Sequence, residues 1–346
     1  MKSKIRNLLF FFIFVAGLSF TYAKAPKAWG KNELSLWNDT APAKKALIEY
    51  VASVTDKKSA DFIPVEDRIA VFDLDGTLIL ETAPTYFDQQ LFDYRVLDDA
   101  DYRDKASEAQ KETARNSREE HKFPELSAER ENMVAEVYAG MTLEEFDSFV
   151  RGFMQTDQPG FTGMKRGETF YKPMVQLVNF LVENDFTVYV SSGSDRLLVR
   201  PLVFENLGLP ASQIIGSDTL VICADQGDKN GLSYTFKAGD HLILGGKSIV
   251  KNLQMNKVVT IAREIGKKPV LAFGNSGTDA SMLNYSICKN KYKALAFMLM
   301  CDDLEREYGN MEKADKMKKA SKENGWIAVS MRDDWKTIYG DGVKRK

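Results

Sequence analysis

Apolar residues cluster in short runs that are separated by polar and turn-forming residues. Five of these runs are almost wholly apolar, which is typical of strands buried on both faces of a sheet. They cover residues 68–72, 186–190, 269–273, 295–299 and 326–329. Amphipathic helical spacing lies between several of them, as in 173–183 and 258–265. This alternation predicts an α/β fold with a Rossmann-like, mostly parallel sheet and helices on both of its faces.

Three further segments have a recognisable local pattern. Apolar positions at helical spacing predict a helix within residues 34–55, with its N-cap in Asn38-Asp39-Thr40 ahead of Pro42. Glycines and alternating apolar residues predict a small hairpin in 216–246. The charged stretch 313–322 predicts a helix with a solvated face.

The interval between the first two predicted strands is much longer than the dozen or so residues, roughly, that a crossover connection needs. It is rich in charged residues and helix formers. Thr142-Leu143-Glu144-Glu145 has the sequence of a capping box at the start of an amphipathic helix. We therefore expect an inserted helical cap subdomain at 82–170, and an α/β core made of 24–81 and 171–346.

The N-terminal segment 1–23 has the pattern of a secretory signal peptide. Lys2, Lys4 and Arg6 form a positive region, an apolar stretch follows, and Ala23 is a small residue suited to cleavage. The alternative is a membrane anchor, but the apolar stretch is shorter than the about 20 residues that a spanning helix needs. We expect cleavage after Ala23, a periplasmic or secreted mature protein, and no stable membrane insertion after cleavage.

The overall composition narrows the classes of function. The 346 residues include 47 Lys and Arg against 49 Asp and Glu, a formal net charge of -2, so nucleic acid is not an expected partner. Three cysteines do not make a disulfide framework, and the two histidines lack the spacing of a metal site. A zinc site or a histidine-based catalytic triad is therefore not expected.

Candidate chemistry begins directly after the first predicted strand, with Asp73-Leu74-Asp75-Gly76-Thr77-Leu78. In an open α/β sheet, ligands bind where the carboxyl ends of the strands meet the loops. Two carboxylates this close repel each other unless a cation or a proton relieves them, which suits a hard divalent metal with oxygen ligands. Gly76 lets the chain turn sharply and leaves backbone N–H groups accessible to an anion.

Polar segments follow two other predicted strands. Ser191-Ser192-Gly193-Ser194 offers hydroxyl and N–H groups that suit a phosphate, and Gly274-Asn275-Ser276-Gly277-Thr278-Asp279 offers further oxygen ligands. A lysine on the helix before the third strand completes the set. Lys257 is the first choice, Lys251 is the reserve, and Lys247 is a lesser candidate. Each segment alone reads equally well as a turn or loop, whereas the four in this order are specific.

In this order the segments resemble the motifs of the haloacid-dehalogenase-like (HAD) hydrolase superfamily, in its phosphoserine-phosphatase-like branch and among exported bacterial members. The resemblance covers about residues 30–340. It implies that Asp73 is the nucleophile and becomes an aspartyl-phosphate, and that Asp75 is the general acid and base. It also implies that Ser191 binds the phosphoryl group and that Lys257 adds a positive charge beside it. The other expected phosphate contacts are Gly76, Thr77, Ser192 and Gly193.

Mg²⁺ is the cofactor that the resemblance implies. Its expected protein ligands are Asp73, Asp75 through the backbone carbonyl, and Asn275. Asp279 is counted with the metal-binding residues, where it orients either the metal shell or Lys257. The family motif usually has an aspartate where this sequence has Asn275. An amide oxygen brings no charge, so we expect weaker metal affinity without loss of activity.

The resemblance implies an exported phosphatase that hydrolyses a small phosphorylated metabolite with Mg²⁺. The alternatives are a phosphotransferase or mutase, a dehalogenase, or a non-catalytic phosphate-binding relative. Dehalogenation needs neither a metal nor a second acid, so Asp75 argues against it. The cap is expected to carry specificity and to close over the substrate. Glu81 is expected to be a surface residue rather than a contact for a substrate amine.

Overall fold

Strands form two sheets in the computed structural model, which describes residues 34–346. In chain order the strands are β1 (Ile69–Phe72), β2 (Phe161–Thr162), β3 (Thr187–Asp195), β4 (Ile214–Cys223), β5 (Leu242–Val250), β6 (Leu271–Gly274), β7 (Leu295–Met300), β8 (Ile327–Ser330) and β9 (Lys344–Arg345). The larger sheet has the order β5-β4-β3-β1-β6-β7-β8, and β2 pairs with β9 separately. The predicted signal peptide lies outside the described residues, and its cleavage stays a prediction.

The five predicted strands all belong to the larger sheet, which confirms the α/β fold class. β1 pairs in parallel with β3 on one side and with β6 on the other, and β7 and β8 continue in parallel. Phe72 stacks on Phe273 with ring centroids 4.2 Å apart, and Phe273 stacks on Phe297 at 4.8 Å. Three neighbouring strands therefore share one closely packed aromatic row, which explains their uninterrupted apolar sequence.

The predicted hairpin is larger than the sequence indicated. Its strands β4 and β5 pair in antiparallel fashion across a long connection, residues 224–241. β4 also pairs in parallel with β3, so the hairpin extends the main sheet and does not stand apart from it. Apart from its last residue, only the first four residues of β4 are buried. So short a buried run is hard to distinguish from a loop, which is why the sequence pattern did not reveal this strand of the sheet.

Helices cover both faces of the sheet, as predicted. They are α1 (Pro42–Thr55), α2 (Phe87–Leu97), α3 (Glu108–Glu120), α4 (Ala128–Glu136), α5 (Leu143–Met154), α6 (Lys172–Glu183), α7 (Arg196–Leu207), α8 (Met255–Glu264), α9 (Ala280–Ile287) and α10 (Met311–Asn324). α1, α6 and α7 share a core with Phe72, and α8, α9 and α10 share one with Val71. None of these helices, all within residues 34–346, has the length and apolar character that crossing a bilayer requires.

The predicted N-cap of the first helix is wrong. Pro42 is the first residue of α1, and the N-cap position falls on Ala41, whose side chain accepts no hydrogen bond. The backbone N–H of Asn38 donates to the Asp334 carbonyl at 2.8 Å, so this segment is held by the C-terminal part of the chain. The proline, with its fixed φ, is therefore enough to start the helix without a side-chain cap.

Four helices, α2 to α5, occupy the chain between β1 and α6, where the cap insertion was predicted. The capping box of α5 is confirmed: the Glu145 N–H donates to Thr142 Oγ1 at 3.1 Å, and the Thr142 N–H donates to Glu145 Oε2 at 2.8 Å. α4 packs against β5, and α5 packs against α7. The exact limits of the cap, 82 and 170, stay a prediction.

Candidate active site

The carboxyl ends of β1, β3 and β6 meet at one edge of the sheet, and the three polar segments begin there. Phe72 pairs with Val190 of β3 and with Phe273 of β6. The residues that follow these three positions in the chain therefore lie side by side at the same edge of the sheet. The Asp73 N–H continues the ladder by donating to the Phe273 carbonyl at 2.9 Å. Parallel pairing therefore gathers segments that are far apart in the sequence.

A tight turn after β1 sets the relation between Asp73 and Asp75. Gly76 in this turn has a φ of +78°, a conformation that favours glycine. A Cβ atom at Gly76 would lie 1.8 Å from Asn275 Nδ2, so the close approach of the two segments also requires glycine. Thr77 Oγ1 donates to Asp73 Oδ2 at 3.3 Å. Two of the predicted phosphate contacts thus lie beside other site residues: Thr77 contacts the predicted nucleophile Asp73, and Gly76 lies against Asn275.

Lys257 connects two buried carboxylates. Its Nζ lies 2.5 Å from Asp73 Oδ1 and 2.7 Å from Asp279 Oδ1. The Lys257 side chain is 0% exposed, so this contact is shielded from water. Lys257 lies near the start of α8, the helix that leads into β6, as the sequence indicated.

Burial is the largest influence on the ionisation of these groups. It raises the pKa of Asp73 to about 7; the charge of Asp279 adds to this rise and Lys257 opposes it. Burial by itself lowers the pKa of Lys257, but the charges of Asp279 and Asp73 outweigh it and the pKa is raised. Lys257 is therefore a permanent positive charge at neutral pH, and it favours the anionic form of Asp73.

The other two candidate lysines have different surroundings. Lys251 lines the same cavity as Asp73, but its Nζ pairs with Glu131 Oε2 at 2.9 Å. Lys247 is exposed on β5. Of the three lysines, Lys257 is the one in contact with Asp73.

Asp75 has one oxygen bound and one without a partner. Its Oδ2 accepts a hydrogen bond from Ser194 Oγ at 3.2 Å, whereas no group of residues 34–346 bonds to its buried Oδ1. Burial raises the pKa of Asp75 well above its usual range, and the negative charges of Asp88 and Asp73 raise it further. A raised pKa favours the protonated carboxyl group, which suits a general acid.

Ser191 faces a buried hydrogen-bond network and does not line the cavity. Its Oγ accepts from Asn252 Nδ2 at 3.1 Å, and Asn252 Oδ1 accepts from Thr260 Oγ1 at 2.7 Å. Thr260 lies on α8 together with Lys257, so the network connects the serine segment to the lysine helix. Sequence reasoning missed Asn252, because it lies in the connection after β5 and no local motif marks it.

The other residues of segment 191–194 differ in whether they line the cavity. Gly193 and Ser194 line the cavity, whereas Ser192 is fully buried and its Oγ accepts from the Ser194 N–H at 3.0 Å. A Cβ at Gly193 would lie 2.6 Å from Leu253 Cδ2, so a larger residue here would have to displace the Leu253 side chain. Ser194, which was not among the predicted site residues, is the serine of the segment whose hydroxyl reaches Asp75.

The residues at this edge fit a hard cation. Asn275 is 4% exposed, and none of the described residues bonds to its Nδ2. Because the oxygen and nitrogen of an amide have the same shape, a rotated Asn275 side chain presents its oxygen at this position. Together with the Asp73 carboxylate and the Asp75 backbone carbonyl, this is a set of oxygen donors of the kind that Mg²⁺ prefers.

Asp279 is engaged through both of its oxygens. Oδ1 accepts from Lys257 at 2.7 Å, and Oδ2 accepts from the N–H groups of Asn275 and Ser276, each at 3.1 Å. This arrangement favours the alternative in which Asp279 orients Lys257 and the 274–279 loop. It leaves Asp73, Asp75 and Asn275 as the residues able to hold the metal.

A cavity of about 530 Å³ contains this edge of the sheet and extends to the cap. Glu81 lines it and is held by Lys313 Nζ at 2.5 and 2.7 Å and by the Tyr86 hydroxyl at 3.2 Å. The Glu81 side chain is only 15% exposed, so the expectation of a surface residue is wrong. The sequence did not reveal this pair because Lys313 lies on α10, near the opposite end of the chain.

Several solved structures align with most of this chain. A functionally unknown protein from Anaerococcus prevotii aligns with a TM-score of 0.50 at 14% identity, over 83% of this chain and 91% of that chain. Cytosolic 5'-nucleotidase IIIB bound to cytidine aligns with a TM-score of 0.48 at 11% identity, over 85% and 87%. A phosphoserine phosphohydrolase-like protein from Francisella tularensis aligns with a TM-score of 0.39 at 15% identity, over 76% and 94%. No curated protein sequence matches this chain significantly.

The family assignment comes from the sequence. The family model described as haloacid dehalogenase-like hydrolase matches residues 70–284, which is more than half of the chain. The match begins within β1 and includes the cap helices and the 274–279 loop, so it contains all of the predicted motifs. The chain therefore belongs to the haloacid dehalogenase-like hydrolase family.

Proposed function

We propose that this hydrolase is a magnesium-dependent phosphomonoesterase that acts on a small phosphorylated metabolite through an aspartyl-phosphate. The contact between Asp73 and Lys257 carries the proposal, because Asp73 lines the cavity and Lys257 places a fixed, buried positive charge behind it. Asp75, two residues further on, is the second carboxyl group that such a reaction needs.

In the first step a carboxylate oxygen of Asp73 attacks phosphorus in line with the leaving alcohol. A new O–P bond forms, the ester O–P bond breaks, and Asp75 donates its proton to the leaving oxygen. The raised pKa of Asp75 supports this role because it favours the protonated form, which has a proton to donate. Lys257 stabilises the charge that collects on the phosphoryl oxygens.

In the second step Asp75, now a carboxylate, accepts a proton from water. The water oxygen attacks phosphorus, the bond to Asp73 breaks, and inorganic phosphate and the original carboxylate are regenerated. Asp279 keeps Lys257 in place throughout through the 2.7 Å contact. The N–H groups of the serine segment are suited to bind phosphoryl oxygens.

Mg²⁺, held by Asp73, the Asp75 backbone carbonyl and Asn275, would offset the repulsion between the nucleophile and the substrate and stabilise transition-state charge. Asn275 contributes an oxygen without a charge. This chain therefore offers the ion one negative ligand fewer than a site with an aspartate at this position does.

The proposal is tested by release of phosphate from p-nitrophenyl phosphate, with Mg²⁺ and with EDTA. We expect hydrolysis that EDTA abolishes and that Asp73→Asn lowers by at least about 1,000-fold, since the covalent step is lost. Transfer of the phosphoryl group to an added alcohol in place of water would identify a phosphotransferase. Tight phosphate binding without turnover would contradict the proposal and support a binding protein.

We also propose export, on the basis of the signal-peptide pattern at 1–23. Expression of the full chain in a Gram-negative host should yield a periplasmic protein whose first residue is Lys24. An intact N-terminus in the cytoplasmic fraction would contradict this.

A further inference from the structure

We propose that Asn252 positions the phosphate-binding backbone of the serine segment 191–194. It fixes the peptide between Ser192 and Gly193 so that the Gly193 N–H faces the phosphoryl group. This inference rests on the proposed phosphatase function and adds a positioning residue to it. Asn252 is fully buried and is not among the residues that line the cavity, so it acts on the substrate through the backbone of another segment.

The Asn252 side chain uses both of its polar atoms inside the protein. Nδ2 donates to the Ser192 carbonyl at 3.0 Å and to Ser191 Oγ at 3.1 Å. Oδ1 accepts from Thr260 Oγ1 at 2.7 Å. A rotated amide would place its oxygen against the Ser192 carbonyl, where two acceptors repel each other. The hydrogen bonds therefore determine which end of the amide meets the serine segment.

The bond from Asn252 sets the direction of a neighbouring N–H group. In a trans peptide the carbonyl and the N–H point to opposite sides, so the Gly193 N–H points away from Asn252. Gly193 lines the cavity together with Asp73, whereas the Ser192 carbonyl faces the buried network. Ser217 Oγ donates to the Gly193 carbonyl at 2.7 Å and holds the next peptide in a similar way. Two successive carbonyl groups are thus bound within the protein, where they do not repel a phosphate.

A restraint of this kind is needed because Gly193 has no side chain. Glycine tolerates most backbone conformations, so the peptide before it rotates at little cost. After such a rotation the Ser192 carbonyl would face the phosphoryl group and repel its negatively charged oxygens. The same rotation would leave Asn252 Nδ2 buried without one of its acceptors, which costs free energy. Asn252 therefore favours the peptide orientation that binds an anion.

Asn252 also connects the serine segment to the helix that carries the lysine. Thr260, which donates to Asn252 Oδ1, lies on α8 one turn after Lys257. The Thr260 hydroxyl also lies 3.1 Å from the Lys257 carbonyl. The Gly193 N–H and Lys257, the two groups expected to act on the phosphoryl oxygens, are therefore connected through one buried side chain.

The first test follows the Gly193 N–H by nuclear magnetic resonance of the protein with isotope-labelled glycine and Mg²⁺. Gly193→Ala identifies the signal by removing it. We expect inorganic phosphate to shift the Gly193 signal of the wild type, because a hydrogen bond to an anion changes the environment of the donor. Asn252→Leu keeps the branched shape of the side chain but has no donors. In this variant phosphate should no longer shift the Gly193 signal.

Binding and turnover provide the second readout. Asn252→Leu should weaken the binding of inorganic phosphate in calorimetry and lower kcat/KM for p-nitrophenyl phosphate. We expect each to change by at least about tenfold, because a hydrogen bond to a charged group is lost.

Asn290→Leu is the matched control. Asn290 Nδ2 also donates to two carbonyl groups, those of Pro269 at 2.9 Å and Ser286 at 2.7 Å. Pro269 precedes the amino end of β6, at the edge of the sheet opposite the site. This variant should lose stability in urea and keep both the phosphate affinity and the Gly193 signal. A purely structural role for Asn252 predicts the same result in Asn252→Leu.

Ser217→Ala keeps the proposal testable if Asn252→Leu does not fold. It removes the bond to the Gly193 carbonyl and the acceptor of the Asn252 N–H, so it should also weaken phosphate binding. Unchanged phosphate affinity in Asn252→Leu, or in Ser217→Ala where that variant alone folds, would overturn the proposal. A wild-type Gly193 signal that phosphate does not shift would overturn it as well.

Failure of the phosphatase function gives a different result. Phosphate binding that shifts the Gly193 signal, without hydrolysis of p-nitrophenyl phosphate, supports the positioning role although the catalytic proposal has failed. Hydrolysis of the ester without that shift contradicts the positioning role alone.

Discussion

The Nζ atom of Lys257 lies 2.5 Å from Asp73 Oδ1, although 184 residues separate the two in the chain. A buried ion pair adds little to stability overall, because the loss of hydration offsets the attraction between the charges. Removal of one partner is costly, since the other charge is left buried alone. The contact is therefore better explained by a role in the chemistry of the site than by a contribution to the stability of the fold.

The first prediction concerns Lys257. Lys257→Met should lower phosphatase activity by at least about 100-fold, because the charge beside the nucleophile is lost. It should also destabilise the protein by about 3–5 kcal/mol, since Asp73 and Asp279 are left without their shared partner. Phosphate release and urea unfolding measure the two effects.

A second substitution separates these effects. Asp279→Asn in the Lys257→Met background should restore part of the stability without restoring activity, because one buried charge is removed. Lys247→Met, at an exposed position on β5, serves as the control and should change neither. Near-normal activity of Lys257→Met would refute the assigned role.

The second prediction concerns the metal. Asn275→Asp should lower the melting temperature of the metal-free protein, because a further carboxyl group is buried beside Asp73 and Asp75. It should also increase the rise in melting temperature on addition of Mg²⁺, because the ion gains a charged ligand. Thermal melts across a Mg²⁺ titration provide the measurement. If the variant requires more Mg²⁺ than the wild type does, Asn275 does not bind the metal directly.

The third prediction concerns the turn after β1. Gly76→Ala should destabilise the protein and reduce activity strongly, because the added Cβ would lie 1.8 Å from Asn275 Nδ2 and must displace it. Gly140→Ala is a matched control. Gly140 has a φ of +83°, but a Cβ there meets nothing within 4 Å. The control should show only the backbone cost, about 1–2 kcal/mol, with activity retained. Equal effects in both variants would mean that the close approach is unimportant.

The fourth prediction concerns pH and Glu307. Burial raises the pKa of Glu307 from 4.5 to about 7, although hydrogen bonds from Tyr339 and the Tyr308 N–H oppose the rise. The folded protein therefore holds a proton that the unfolded chain has released. The stability that this proton contributes is fully present below pH 4.5 and is lost as the pH rises to about 7.

Glu307→Gln should remove this dependence. The difference in free energy of unfolding, variant minus wild type, should rise between pH 4.5 and 7 by up to about 3 kcal/mol. Above pH 7 this difference should stay constant. Urea unfolding at a series of pH values provides the test, with the exposed Glu305→Gln as control. A difference in unfolding free energy that does not change across this pH range would show that Glu307 has the same pKa in the folded and unfolded protein, which would contradict the prediction.

The sequence alone determined the class of fold and most of the candidate chemistry. Uninterrupted apolar runs predicted five strands of the sheet, because strands buried on both faces have no polar positions. Asp73, Asp75 and Asn275 were identifiable because each directly follows such a run, and parallel strands end at one edge of the sheet. The capping box of α5 was readable for a similar reason: it depends on residues three positions apart.

The tertiary structure decided what depends on contacts between distant segments. The pairing of Glu81 with Lys313, the Asn252 network behind Ser191, and the half-buried strand β4 have no local signature. Periodicity records which face of an element is buried, whereas ion pairs and cavities depend on how elements pack together. Local sequence patterns carry the first kind of information and little of the second.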